Sequence, residues 1–495
     1  MAIFLRLFAC LLFAQSDATR RLRWKAVARE TGDVLALDSL TNLSVTSGAP
    51  APLVLTDQFF DSQLLNHSEG AASPFWSQRY HLNAKFSSGP TSPVFVYLSG
   101  PSPADASVVT DDNFFMVKLA QQYGALVVSV EQRFYGQSQP MADWSLSSLA
   151  YLTVGNTVAD IATLQDHIIM IRVLSNVAPW VLFGGGYGGM LATWTKYTYP
   201  NRFAGAVASS APIELRASFP EYVQQVEEAV RVAGGDDCVG ALAMGLQEAH
   251  ALIASHDTDA IHRIFNTCTP LATALDRTVL EMCILQQYQR LAQENDWELL
   301  RLSDACGILT AKNGLRQIDK MAVVHARSLN VTGTTCTHTS YTDNWLAPVA
   351  MHWPNAVDAV RQWSYQLCTA FGFAQTTGNS IFSALEFVTL DSVYHRFCAD
   401  AFNITDTEDR IQETRAVFPG IDINVGNVVF VSGALDPWAP LSPRNISALV
   451  HSTSAVVVVA GASTGSDVFA ANASANAAVA HAHSAIEAAV AKYIS

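Results

Sequence analysis

Residues 180–194, WVLFGGGYGGMLATW, set an apolar strand-like run, a glycine-rich turn and a helix-like run in immediate succession. Two chemistries use such a turn. Gly184, Gly186 and Gly189 satisfy G-x-G-x-x-G, in which glycines let a pyrophosphate approach a helix N-terminus. Gly184-Gly185-Gly186-Tyr187-Gly188 is equally G-x-S-x-G with glycine in the central place, a strand–elbow–helix turn without its nucleophile. A dinucleotide site also wants a carboxylate at the end of the next strand, roughly 20 residues on, to bind the ribose. That place reads VASSAPI, with no carboxylate before Glu214. The turn also follows several strands instead of opening the first βαβ unit. A dinucleotide-binding oxidoreductase is therefore the weakest of the functional alternatives, and no cofactor is expected.

Outward from the turn, residues 93–210 alternate continuous apolar runs with amphipathic ones. PVFVYLSG, ALVVSVEQR, WVLFGG and AGAVASSAP read as strands; DNFFMVKLAQQYG and NTVADIATLQDHIIMIRVL read as helices, the second with Val158, Ile161, Leu164, Ile168 and Ile171 on one face. Continuous apolar strands separated by helices indicate a parallel sheet covered on both faces, so the class is α/β. From about Leu215 to Tyr394 strand runs give way to long helical patterns. NVVFVSGALDPW and SAVVVVAGASTGSDV then restore strand–turn grammar before an Ala-rich terminal helix. The expected organisation is a signal peptide over 1–18, an α/β unit over 50–214, a helical cap insertion over 215–394, and the second part of the α/β unit over 395–495.

Composition narrows the partners. The chain has 495 residues, a formal net charge of −14 and a pI of about 5.3, which argues against nucleic acid or an anionic membrane surface as partner. The short apolar core from about Leu5 to Ala14 reads as a secretory signal, and no later run approaches the roughly 20 residues of a membrane span. N-x-S/T sequons at Asn42, Asn66, Asn330, Asn403, Asn445 and Asn472 agree with the secretory route, to a secreted or lysosomal/vacuolar destination. Cys10 leaves with the signal. Cys238, Cys268, Cys283, Cys306, Cys336, Cys368 and Cys398 remain, all within one 161-residue stretch, which implies up to three disulfides and one odd thiol with the pairing open. No C-x2-C pair supports zinc, and no metal is expected.

Five blocks in order resemble the prolyl serine exopeptidases, the family of lysosomal Pro-X carboxypeptidase, dipeptidyl peptidase II and thymus-specific serine protease. They are FWSQRYHLN, VVSVEQRFYGQSQP, FGGGYGGMLATWTKYTYPNRFAGAVASSAP, WSYQLCTAFGFAQT and FVSGALDPW, spread from about Asp57 to the C-terminus. The resemblance implies an α/β-hydrolase fold with a helical, cysteine-containing cap. It also implies where the catalytic groups belong. The nucleophile position falls on Gly186, the acid on Asp436, and the base on Thr464, where the family block G-T-A-H-C-A-D-M aligns with GASTGSDV. Glycine has no Oγ and threonine no basic nitrogen, so the expectation is a pseudoenzyme that binds proline-containing peptides. The Tyr187 backbone N–H would be a remnant of the oxyanion hole. Pro101 in YLSGPSP and Ala370 in CTAFGF replace acids of the family pattern. The alternative is an active exopeptidase with relocated groups; His451, His481, His483, Ser138, Ser209 and Ser210 are the residues available, none in a triad place.

Overall fold

The computed structural model describes residues 55–296, 299–350, 359–445, 449–470 and 476–495. The expected signal peptide, the expected start of the first α/β unit and the sequons at Asn42 and Asn472 lie outside the described residues. In chain order the strands are β1 Gln58–Leu64, β2 Phe75–Asn83, β3 Val94–Leu98, β4 Leu126–Val130, β5 Trp180–Gly185, β6 Gly205–Ser209, β7 Arg216–Ser218, β8 Gly372–Ala374, β9 Val428–Gly433 and β10 Ala455–Val459. Eight of them form one sheet in the order β1-β2-β4-β3-β5-β6-β9-β10. β2 runs antiparallel to β1 and β4. Every other pairing in the sheet is parallel.

Helices cover both faces of the sheet, which is why its central strands are apolar throughout. On one face lie α2 Val154–Arg172 and α3 Tyr187–Thr198, with Val158, Ile161, Leu164, Met190, Leu191 and Trp194 in the larger core. On the other lie α1 Phe115–Tyr123 and α7 Ala477–Ile494, whose Met116, Val117, Val479, Ile486 and Val490 form a second core. α2 starts where Thr153 caps it, the Oγ1 accepting from Asn156 N at 3.1 Å. Its expected apolar face stops short at Ile171, which is 43% exposed beside the helix end.

Between β6 and β9 the described chain is mainly helical. The long members are α4 Glu221–Ala254, α5 Ala274–Gln293 and α6 Gln317–Thr332, and helices continue as far as Thr407–Val417. Disulfides join Cys238 to Cys306, Cys268 to Cys336 and Cys368 to Cys398. The seventh cysteine, Cys283, is buried on α5 and is disulfide-bonded as well, so the expected odd thiol is not found among the described residues. One departure from the strand-free expectation is a parallel ribbon, β7 against β8, at the neck of the insertion. Gly372 is required there: a Cβ would lie 2.2 Å from Arg216 O. The mixed sheet, its two helical layers and the elbow after β5 make this an α/β-hydrolase fold with a disulfide-carrying helical insertion. Among the described residues no helix is long and apolar enough to cross a membrane.

Candidate functional site

The C-terminal ends of β5, β6, β9 and β10 converge on one edge of the sheet. At the end of β5 the chain turns sharply into α3 through Gly186, which has φ 54° and ψ −121°. Gly186 N donates to Ser209 O at 2.9 Å, and Met190 N donates back to Gly186 O at 3.0 Å. The flanking glycines serve close packing. A Cβ on Gly184 would sit 2.2 Å from Gly188 backbone atoms, and one on Gly188 would sit 2.2 Å from Leu98 O. Their spacing is thus accounted for by α3 pressed onto β3 and β5, without a pyrophosphate.

After β9 the chain bends through Ala434 and Leu435 to Asp436. This loop is zipped to the one after β10: Ala434 N donates to Val459 O at 2.9 Å and Leu435 N to Ala462 O at 3.0 Å. Gly433 permits the contact, since a Cβ would stand 2.3 Å from Ala462 O and Ser463 O. The zip brings Thr464 onto the carboxylate. Thr464 Oγ1 donates to Asp436 Oδ1 at 2.6 Å, and Trp438 N donates to the same oxygen at 3.0 Å. Asp436 is buried. Its charge and the burial of the ring push the Tyr222 hydroxyl well above its ordinary pKa, burial being the larger cause.

The insertion docks on this loop through Gln293 at the end of α5. Gln293 Oε1 accepts from Tyr222 OH at 2.6 Å and from Trp438 Nε1 at 3.1 Å. Its backbone oxygen accepts from Thr464 N at 3.3 Å. On the elbow side, the Tyr187 ring packs between Trp363 and Phe371, with centroids 5.5 and 5.4 Å away. Gln366 bridges two tyrosines, donating from Nε2 to Tyr187 OH at 3.0 Å and accepting from Tyr135 OH at 2.6 Å. Burial pushes Tyr187 up to about 12. Neither Gln366 nor Gln293 was singled out from sequence; each sits inside a helical pattern, and only the contacts across more than 70 residues reveal it.

The block VEQRFYGQS is structural. Glu131 is buried and accepts from Arg79, from Ala104 N at 2.8 Å, from Gln137 N at 2.8 Å and from Ser138 N at 2.9 Å. Ser138 Oγ in turn accepts from Arg79 N at 2.9 Å. Arg133 forms a two-pronged pair with Asp160, both contacts 2.7 Å. Ser209 ends β6 with its Oγ donating to Asp467 Oδ2 at 2.5 Å, on the α1/α7 face. Ser210, at φ 48°, accepts from Gly465 N at 2.9 Å and so links the loop after β10 to the end of β6. His483 is buried, stacked on Phe115 and bonded through Nε2 to Asp467 O at 2.7 Å. His481 is exposed, and His451 contacts Thr453 Oγ1 at 3.0 Å. Pro101 is buried on the loop after β3, and Ala370 is buried in the turn Leu367–Phe371.

Comparison with known proteins agrees with this architecture. A family model described as serine carboxypeptidase S28 matches residues 63–486. The chain is 30% identical over 383 residues to the thymus-specific serine protease of Mus musculus, covering 74% of each chain. It is 27% identical over 400 residues to the Homo sapiens protein of that name, covering 78% of this chain and 76% of that one. It is 26% identical over 348 residues to the lysosomal Pro-X carboxypeptidase of Mus musculus, covering 66% of this chain and 67% of that one.

Proposed function

Because the chain belongs to the serine carboxypeptidase S28 family, we propose that it is a pseudoenzyme of that family, which keeps peptide binding and has lost hydrolysis. In this reading Gly186 stands in the nucleophile's place, Thr464 in the base's, Asp436 is the retained acid, and Tyr187 N–H remains from the oxyanion hole. The observation that carries it is the 2.6 Å hydrogen bond from Thr464 Oγ1 to Asp436 Oδ1. In a triad the acid orients an imidazole and stabilises its charged form. Here a hydroxyl takes that contact, and among the described residues no imidazole is bonded to the Asp436 carboxylate.

Peptides containing proline are the ligand class that the relatives' names support. The lumen of the secretory or lysosomal route is the compartment that three disulfides support. The test is a fluorophosphonate probe together with cleavage assays on proline-containing peptides from pH 4 to 8. Neither labelling nor turnover is expected; steady turnover that survives removal of contaminating proteases overturns the proposal. One contact favours the relocated-group alternative, the 2.5 Å pair of Ser209 and Asp467. Against it, the His483 ring bonds the main-chain oxygen of Asp467 and not the serine hydroxyl. Probe labelling mapped to Ser209 would favour that alternative.

A further inference from the structure

Helix α5 carries Gln286, Gln289 and Gln293 at intervals of three and four residues, so the three share one face. Gln293 reaches the Asp436 loop through Trp438 and Tyr222. Gln289 and Gln286 stand about 6 and 10 Å further along the same face, at 1.5 Å per residue. They are 1% and 9% exposed, and the carboxamide nitrogen and oxygen of both are without a hydrogen-bond partner among the described residues. Gln287, on a different face of α5, shows the contrast: its Oε1 meets His325 Nδ1 at 2.8 Å. Buried amides are ordinarily paired, so two unpaired ones in line with the acid loop point to a ligand that pairs them.

We propose that Gln286, Gln289 and the Gln293 position form a docking ladder for the main chain of an extended peptide, one end of which lies against Asp436 and Thr464. A carboxamide is itself an amide on a stem, able to donate to a main-chain carbonyl and accept from a main-chain N–H. The roughly 10 Å from Gln286 to Gln293 matches three residues of extended or polyproline chain at about 3.1–3.4 Å per residue. Prolines are admitted because they keep the carbonyl, which the carboxamide nitrogens can meet. The inference rests on the peptide-binding reading above and adds to it the element that holds the peptide.

The test uses the full protein, its Gln286→Met/Gln289→Met variant, and two free pentapeptides of different side chains, Ala-Pro-Ala-Pro-Ala and Gly-Ser-Ala-Ser-Gly, in titration calorimetry. Methionine keeps the volume and removes the hydrogen-bonding groups. The wild type should bind both peptides, and the variant should bind both at least about tenfold more weakly. Its melting temperature should be unchanged or higher, since an unpaired buried amide has been replaced by a thioether. Equal affinities in the two proteins overturn the ladder and leave peptide binding standing. No binding by the wild type overturns both. A loss confined to one peptide overturns main-chain recognition, and a lower melting temperature assigns the glutamines to packing and overturns the proposal.

Discussion

At Gly186 the backbone sits at φ 54° and ψ −121°, a conformation that costs a residue with a Cβ on the order of 1–3 kcal/mol. Gly186→Ser should therefore lower unfolding free energy by about that amount in a urea titration. It should also fail to react with a fluorophosphonate, since on the proposed reading Thr464 holds the place of the base that would take the new hydroxyl's proton. Adding Thr464→His places a base beside Asp436, and weak labelling is expected from the double variant alone, far above the sum of the single effects. Rapid labelling of Gly186→Ser by itself would mean that another base already serves the elbow. The elbow after β5 and the turn that carries Asp436 after β9 were legible in sequence because each is written in a few consecutive residues. The bridge from Tyr135 through Gln366 to Tyr187 was not, because its members are 231 and 179 residues from the glutamine.

The loop 131–138 shows how an element can be held by one side chain. Phe134 sits at φ 67° and Gly136 at φ 54°, and Gly136 leaves room for the Glu131 carboxylate, which a Cβ there would meet at 2.0 Å. Replacing Glu131 with Gln leaves Arg79, itself largely buried, without its main countercharge and turns one of the two accepting oxygens into an NH2, so that either Ala104 N or the Gln137 and Ser138 amides lose their acceptor. Breaking a buried pair in this way costs about 3–5 kcal/mol. Thermal denaturation of Glu131→Gln should show a loss of that order; a loss under about 1 kcal/mol would mean that the backbone holds the loop unaided. The strands β3 to β6, β9 and β10 were readable as continuous apolar runs. β1 and β2 were not, because they are the antiparallel margin of the sheet, where Ser77, Gln78, Arg79 and His81 interleave with Trp76, Tyr80 and Leu82 and blur the period.

Across the whole molecule two buried groups in the insertion set opposite responses to pH. Burial, offset in part by the bond to His250 at 2.6 Å, pushes Glu281 up to about 7, above its ordinary 4.5. A carboxyl raised on folding contributes stability that is complete below pH 4.5 and is lost as pH rises through about 7. Burial pushes His325 down to about 4 from 6.5, so its contribution is complete above pH 6.5 and is lost as pH falls through about 4. Between pH 4.5 and 6.5 the two offset each other. Above 6.5 only the Glu281 loss remains, and the melting temperature should fall toward pH 8. In Glu281→Gln that fall should disappear while the acid-side fall persists; His325→Gln should do the reverse. Melting curves from pH 4 to 8 for the three proteins check both, and unchanged profiles would show that neither group is linked to folding. None of this was legible beforehand, because the burial that shifts both groups is made by contacts between helices far apart in the chain.

The ribbon of β7 and β8 carries a consequence of another kind. Arg216 lies beside Gly372 and Ser218 beside Ala374, so the chain entering the helical region and the chain coming back past that entry run on neighbouring strands about 5 Å apart. The segment 219–371 begins and ends at that junction, while the Cys368–Cys398 bridge ties it to the helices that follow, as far as Thr407–Val417. Such closely spaced ends are what let one gene segment be spliced into another without disturbing the host. A different helical segment grafted at the same two strands would therefore have to replace the Cys368–Cys398 bridge and the contacts of Gln293 with Trp438 and of Gln366 with Tyr187.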